Sequence, residues 1–97
     1  MPQPQDVGPL EPAQAKQLVR HVVQHESVSF SKHALKEMAK DDMHSADCLN
    51  VLRGGVYEAP ELIDGTWRYR VSTRQICVVI SIPDQDRVRV VTAWRFK

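Results

Sequence analysis

The 97-residue chain has no apolar run approaching the roughly 18 residues a membrane-spanning helix needs, so no membrane segment is expected. Its start shows no basic stretch followed by an apolar one, so no secretory signal is expected either. Only two cysteines occur, Cys48 and Cys77, without the paired spacing of zinc or redox motifs. Each lies in an apolar run, which points to buried reduced thiols and a cytoplasmic protein. No cluster of Cys, His, Asp and Glu has metal-ligand spacing, so neither metal nor cofactor is expected. His21 and His25 stand four apart, but Val22 follows His21 where a zinc-protease motif would carry Glu. A solvent-facing or helix-end role is expected for both.

Acids are scarce toward the end. Residues 66–97 hold 7 Lys/Arg against 2 Asp/Glu, whereas residues 1–65 hold 6 against 10. Balances of +5 and −4 give the net +1 of the chain. The basic last third faces either an anionic partner or, more blandly, solvent.

At 42% apolar and 26% charged residues, the composition is that of one small globular domain. Residues 1–10, rich in proline and without periodicity, are expected to be a flexible or loosely docked tail, leaving 11–97 as the domain. Residues 12–25 space Ala15, Leu18, Val19 and Val22 as one helical face, with Pro12 suited to a first turn. Residues 27–30 read as a connector. A second helix covers about 31–40 behind a Ser31 cap, and a third about 46–53 behind Ser45, ended by Gly54-Gly55.

From Val56 the apolar period changes to two. VYEAPELI reads as an edge strand broken by Pro60. Asp64-Gly65 is a hairpin signal. TWRYRVST, QICVVISI and RVRVVTAWRFK complete an antiparallel meander. Tyr69 and Trp94 are expected in the core, with Val88, Val90, Thr92, Trp94 and Phe96 sharing one face of the last strand. The fold class is α+β, with N-terminal helices packed on a four-stranded antiparallel sheet.

Ser31 places Lys32 and His33 in a first helical turn, where partial positive charge normally favours acids. Either the pair meets an anion there, or His33 bonds a loop carbonyl and steadies the helix start. A helix terminus lowers imidazole basicity and offers free amides to a phosphate, as a general base for RNA cleavage requires. Arg68 and Arg70 share one strand face and form either a phosphate clamp or a solvated face paired with Asp64, Glu58 or Glu61. Arg89 and Arg95 are further phosphate-binding candidates. Tyr57 and Tyr69 are either proton donors or stacking platforms, or packing residues, as the alternation with Trp67 and Val71 favours for Tyr69.

The order SKHALKEM, a helix ending LRGG, YRV and a closing VRVVTAW resembles a family of small bacterial domains of unassigned function. That family in turn resembles the RelE-type ribonuclease toxins, especially the BrnT and MqsR branches. The resemblance covers about residues 28–96. It implies a RelE-like fold, cleavage of mRNA, and a cognate antitoxin as partner, making this the toxin of a type II pair. Lys32 and His33 match a Lys-His pair of BrnT-like proteins, and Arg68, Arg70 and Arg95 match basic residues on their sheet. On this reading the catalytic residues are His33, Lys32 and Arg70, and the RNA-binding residues are Arg68, Arg89 and Arg95. The alternatives are an RNA- or protein-binding module without chemistry, and an immunity- or antitoxin-like interaction protein.

Overall fold

A computed structural model describes residues 6–96. The elements in chain order are α1 (Pro12–Gln24), β1 (Val28–Phe30), α2 (Lys32–Lys40), α3 (Ser45–Gly54), β2 (Val56–Tyr57), β3 (Glu61–Ile63), β4 (Thr66–Ser72), β5 (Ile76–Asp84) and β6 (Arg87–Arg95). The fold is α+β, as the change of period implies. The sheet is larger than four strands and is mixed, with strand order β1-β6-β5-β4-β2 and β3 also paired to β4. Two features account for the difference. Val28–Phe30, expected as a connector, pairs parallel with Val88–Val90. The segment around Pro60 breaks the expected first strand into β2 and β3, because proline cannot donate to a ladder.

The helical spacing holds. Ala15, Val19, Val22 and Val23 of α1 are buried, as are Ala34 and Met38 of α2 and Cys48, Val51 and Leu52 of α3. They pack against Tyr69, Val71, Val78, Ile80, Val88 and Val90 on one sheet face. The Ser31 hydroxyl accepts the Ala34 amide at 3.0 Å, which confirms the cap of α2. The third helix begins one residue earlier than expected: His44 is its cap, and its amide donates to the Asp47 carboxylate at 2.8 Å. Asp64 and Gly65 both have positive φ, and Ile63 pairs with Thr66 across them, so the Asp-Gly hairpin forms as read.

Residues 1–5 lie outside the described residues. Residues 6–10, expected in a flexible or loosely docked tail, are docked. The Val7 amide donates to the Ile82 carbonyl at 2.7 Å. The Tyr69 hydroxyl donates to the Val7 carbonyl at 3.2 Å and accepts the Leu10 amide at 3.1 Å. A buried tyrosine oxygen needs partners, and this strap supplies them. Gly8 crosses so close that a Cβ there would lie 2.7 Å from the Tyr69 hydroxyl oxygen.

One irregularity sets the rest of the surface. Val79 pairs with Thr92, but Ile80 pairs with Val90, so Val91 is an extra residue in β6. This β-bulge reverses the alternation beyond it. Val88 and Val90 face the helices before the bulge, and Ala93 does so after it. Trp94, expected in the core, therefore lies half-buried on the opposite face, and Phe96 is exposed. No helix among the described residues is long and apolar enough to cross a membrane.

Candidate functional site

The sheet face away from the core is built of three cross-strand rows. The register aligns Arg68, Ser81 and Arg89 in the first row. Arg70, Val79 and Thr92 form the second, and Ser72, Cys77 and Trp94 the third. No acid occurs in these nine positions. Glu61 flanks the first row from β3, where it pairs with Arg68.

The bulge ties α2 to the same face. The Ser31 amide donates to the Val90 carbonyl at 3.0 Å, and the Ser31 hydroxyl donates to the Val91 carbonyl at 2.8 Å. One serine thus caps the helix and fixes its start beside the bulged strand. The consequence is a shallow groove of about 520 Å³, lined by His33, Arg68, Arg89, Ser81 and Val91 among others. His33 is exposed and makes no hydrogen bond among the described residues. Helical geometry leaves the Lys32 and His33 amides without partners inside α2. Imidazole, two guanidiniums, hydroxyls and helix-end amides together suit an anion.

Asp6, at the end of the strap, lines the same groove. Its Oδ2 is shielded from solvent and has no hydrogen-bond partner among the described residues. Sequence reading missed Asp6, because only the docking of the strap on Tyr69 carries it to the groove.

The other expected site residues fall differently. Lys32 is exposed at the start of α2, beside His33 in sequence. Arg70 is exposed in the second row, on the groove's face but one row away. Arg95 is turned to the helices. Its Nε donates to the Asp41 carbonyl at 2.9 Å, and its guanidinium lies 3.7 Å from the Asp47 carboxylate. The structure therefore groups His33, Arg68 and Arg89, with Arg70 adjacent, and gives Arg95 to the α2–α3 junction. Neither tyrosine is a free proton donor. Tyr57 is buried and donates to the Leu52 carbonyl at 2.7 Å, and the Tyr69 hydroxyl is engaged by the strap. Burial pushes both phenols up.

Both cysteines are buried and unpaired. Burial pushes the Cys48 thiol up to about 11, helped by Asp47 and opposed by Arg95. Burial also raises the Cys77 thiol, against the opposing charge of Arg70. Such thiols are poor nucleophiles. Among the described residues, no three His, Cys, Asp or Glu side chains come together as a metal site. His21 and His25 meet edge to face, with ring centroids 4.5 Å apart at the end of α1.

Residues 30–95 match the model of a family described as a domain of unknown function, DUF4258. The chain belongs to this family. No curated protein and no solved structure matches it. The matched DUF4258 segment contains Ser31, His33, Arg68, Ser81, Arg89 and the Val91 bulge, so every groove residue except Asp6 named above lies within it. The strap and α1 precede the segment.

Proposed function

We propose that this protein is a metal-independent endoribonuclease acting in the groove between α2 and the basic sheet face. The observation that carries the reading is the convergence of His33 with Arg68 and Arg89 in one groove. A neutral His33 takes the proton of a ribose 2′-hydroxyl. The freed 2′-oxygen attacks the adjacent phosphorus, and the P–O5′ bond breaks. The leaving 5′-oxygen takes a proton from water, since the groove is open to solvent. Arg68 and Arg89 neutralise the phosphorane charge, and Lys32 and Arg70 add positive charge along the strand that binds. Fixed cations at developing charge are the usual large contribution to such catalysis. With this activity the protein serves as the cytoplasmic toxin of a type II pair, held inactive by a cognate antitoxin. The RelE-like motif order in the sequence supports that assignment.

A non-catalytic RNA-binding module is the second reading. What favours it is that His33 has no hydrogen-bond partner among the described residues to fix its tautomer, as an imidazole base usually has.

The test is single-turnover RNA cleavage in excess EDTA, run beside a thermal melt. His33→Ala should stay folded, bind RNA nearly as the parent does, and cleave roughly 10²–10⁴-fold more slowly. Arg68→Ala should weaken binding and reduce its salt slope by about one. A folded His33→Ala variant that cleaves at the parental rate would overturn the catalytic assignment. Intact RNA with the parent enzyme would leave only the binding module.

A further inference from the structure

The Val91 bulge does more than receive Ser31. By reversing the alternation of β6 it moves Trp94 out of the core pattern and onto the face of the arginines. Trp94 lies in the third row, with Cys77 and Ser72 as cross-strand neighbours. Four residues along β5 separate this row from the first, about 13 Å at ordinary strand rise. The row between carries Arg70. The face thus reads cation row, Arg70 with Val79 and Thr92, then an indole.

We propose that Trp94 is a base-stacking platform for single-stranded RNA whose phosphates lie on Arg68, Arg70 and Arg89. This rests on the RNA reading of the groove and names how the strand leaves it. Charge complementarity selects the occupant: the nine row positions carry three arginines and no acid, and although Glu61, Asp6 and Glu58 border them, the rows themselves suit a polyanion. The indole adds what phosphate alone does not need, a flat π surface open to any base. Its half-burial agrees, because a platform keeps one side on the protein. The competing role is structural. Trp94 neighbours Cys77, which is only 1% exposed although it lies on the outer face, so the indole could act solely as its cover.

The experiment separates π surface from cover. Trp94→Leu keeps an apolar side chain over Cys77 but removes the aromatic face, and Trp94→Phe keeps both. Two probes are used on the full chain: a short 2′-O-methyl oligoadenylate, which has no 2′-hydroxyl to cleave, and inorganic polyphosphate, which has no bases. Trp94→Leu should bind the oligoadenylate about 10-fold more weakly, within the range for one stacked base. It should bind polyphosphate as the parent does. Trp94→Phe should stay within about threefold of the parent on both. In a Trp67→Phe background, which leaves Trp94 as the sole tryptophan, oligoadenylate should quench the fluorescence and polyphosphate should not. Parental oligoadenylate affinity in Trp94→Leu would overturn the proposal, and so would equal losses on both probes. Should Trp94→Leu fail to fold, unquenched Trp94 fluorescence at saturating oligoadenylate overturns it alone. A parent that binds neither probe defeats the RNA reading itself, and the platform with it.

Discussion

Ser31→Ala removes two interactions made by one oxygen, and the outcome can be worked out before it is measured. The first is the cap: the hydroxyl accepts the Ala34 amide at 3.0 Å. Replacing a serine cap by alanine costs about 1 kcal/mol. The second is the donation to the Val91 carbonyl at 2.8 Å. A neutral hydrogen bond of this kind contributes about 0.5–1.5 kcal/mol. Water can reach the half-buried Val91, so no full desolvation penalty is added. The expected loss is about 1.5–2.5 kcal/mol. In a domain of this size each kcal/mol moves the melting temperature by about 4–8 °C, so Tm should fall by roughly 6–20 °C. Ser31→Thr retains both bonds and should recover most of it. Differential scanning calorimetry gives the shift, and RNA affinity measured below both transitions gives the functional effect. Affinity should fall for Ser31→Ala, because the start of α2 is then held beside Arg89 by its backbone amide on the Val90 carbonyl alone, and return for Ser31→Thr. A Tm shift below about 2 °C would show that the serine does not anchor the helix to the bulge. A large shift with unchanged RNA affinity would show that the anchored helix start has no part in binding.

Three further outcomes are expected. Arg95→Ala should lower stability by about 1 kcal/mol, because its hydrogen bonds to the α2–α3 turn are partly exposed, and should leave the salt slope of RNA binding unchanged; a reduced slope would return Arg95 to the binding face. Asp6→Asn removes a carboxylate from the groove lining and should tighten polyphosphate binding about threefold, the order expected of one partly exposed charge; weaker binding would show that the carboxylate assists the site. Burial pushes the Cys48 thiol up to about 11 in the folded chain, from 9.0 for a free thiol. Below pH 9 both states keep the proton, but above it the unfolded thiol ionises first. Stability should therefore fall as pH rises from 9 toward 11, by up to about 2–3 kcal/mol from this group at 1.36 kcal/mol per unit. Urea denaturation across that range should show a shallower decline for Cys48→Ala, and an equal slope would refute the attribution.

The sequence makes the repeating parts of this fold legible and hides the single irregular ones. Helical spacing over residues 12–25 survives because four buried side chains repeat the same signal, and over 31–40 because Ala34 and Met38 hold it although Leu35 is exposed. The Asp-Gly turn survives because its backbone conformation favours few residues. β1 does not, since three residues are too short for any period, and a parallel partner sixty positions away leaves no local trace. The bulge is hidden for a different reason. In VRVVTAWRF both phases of the alternation contain apolar residues, so nothing in the string marks where one phase gives way to the other. Ala93 could occupy the core face and Trp94 the outer face, or the reverse, and a larger side chain normally argues for burial. Cross-strand register decides it. That one extra residue presents the Val91 carbonyl to Ser31, and so sets where α2 begins. The same residue places Trp94 beyond Arg70 on the outer face. His33 and Arg68 were legible as candidates by type, but their meeting was not, because it depends on an insertion that neither local propensity nor periodicity registers.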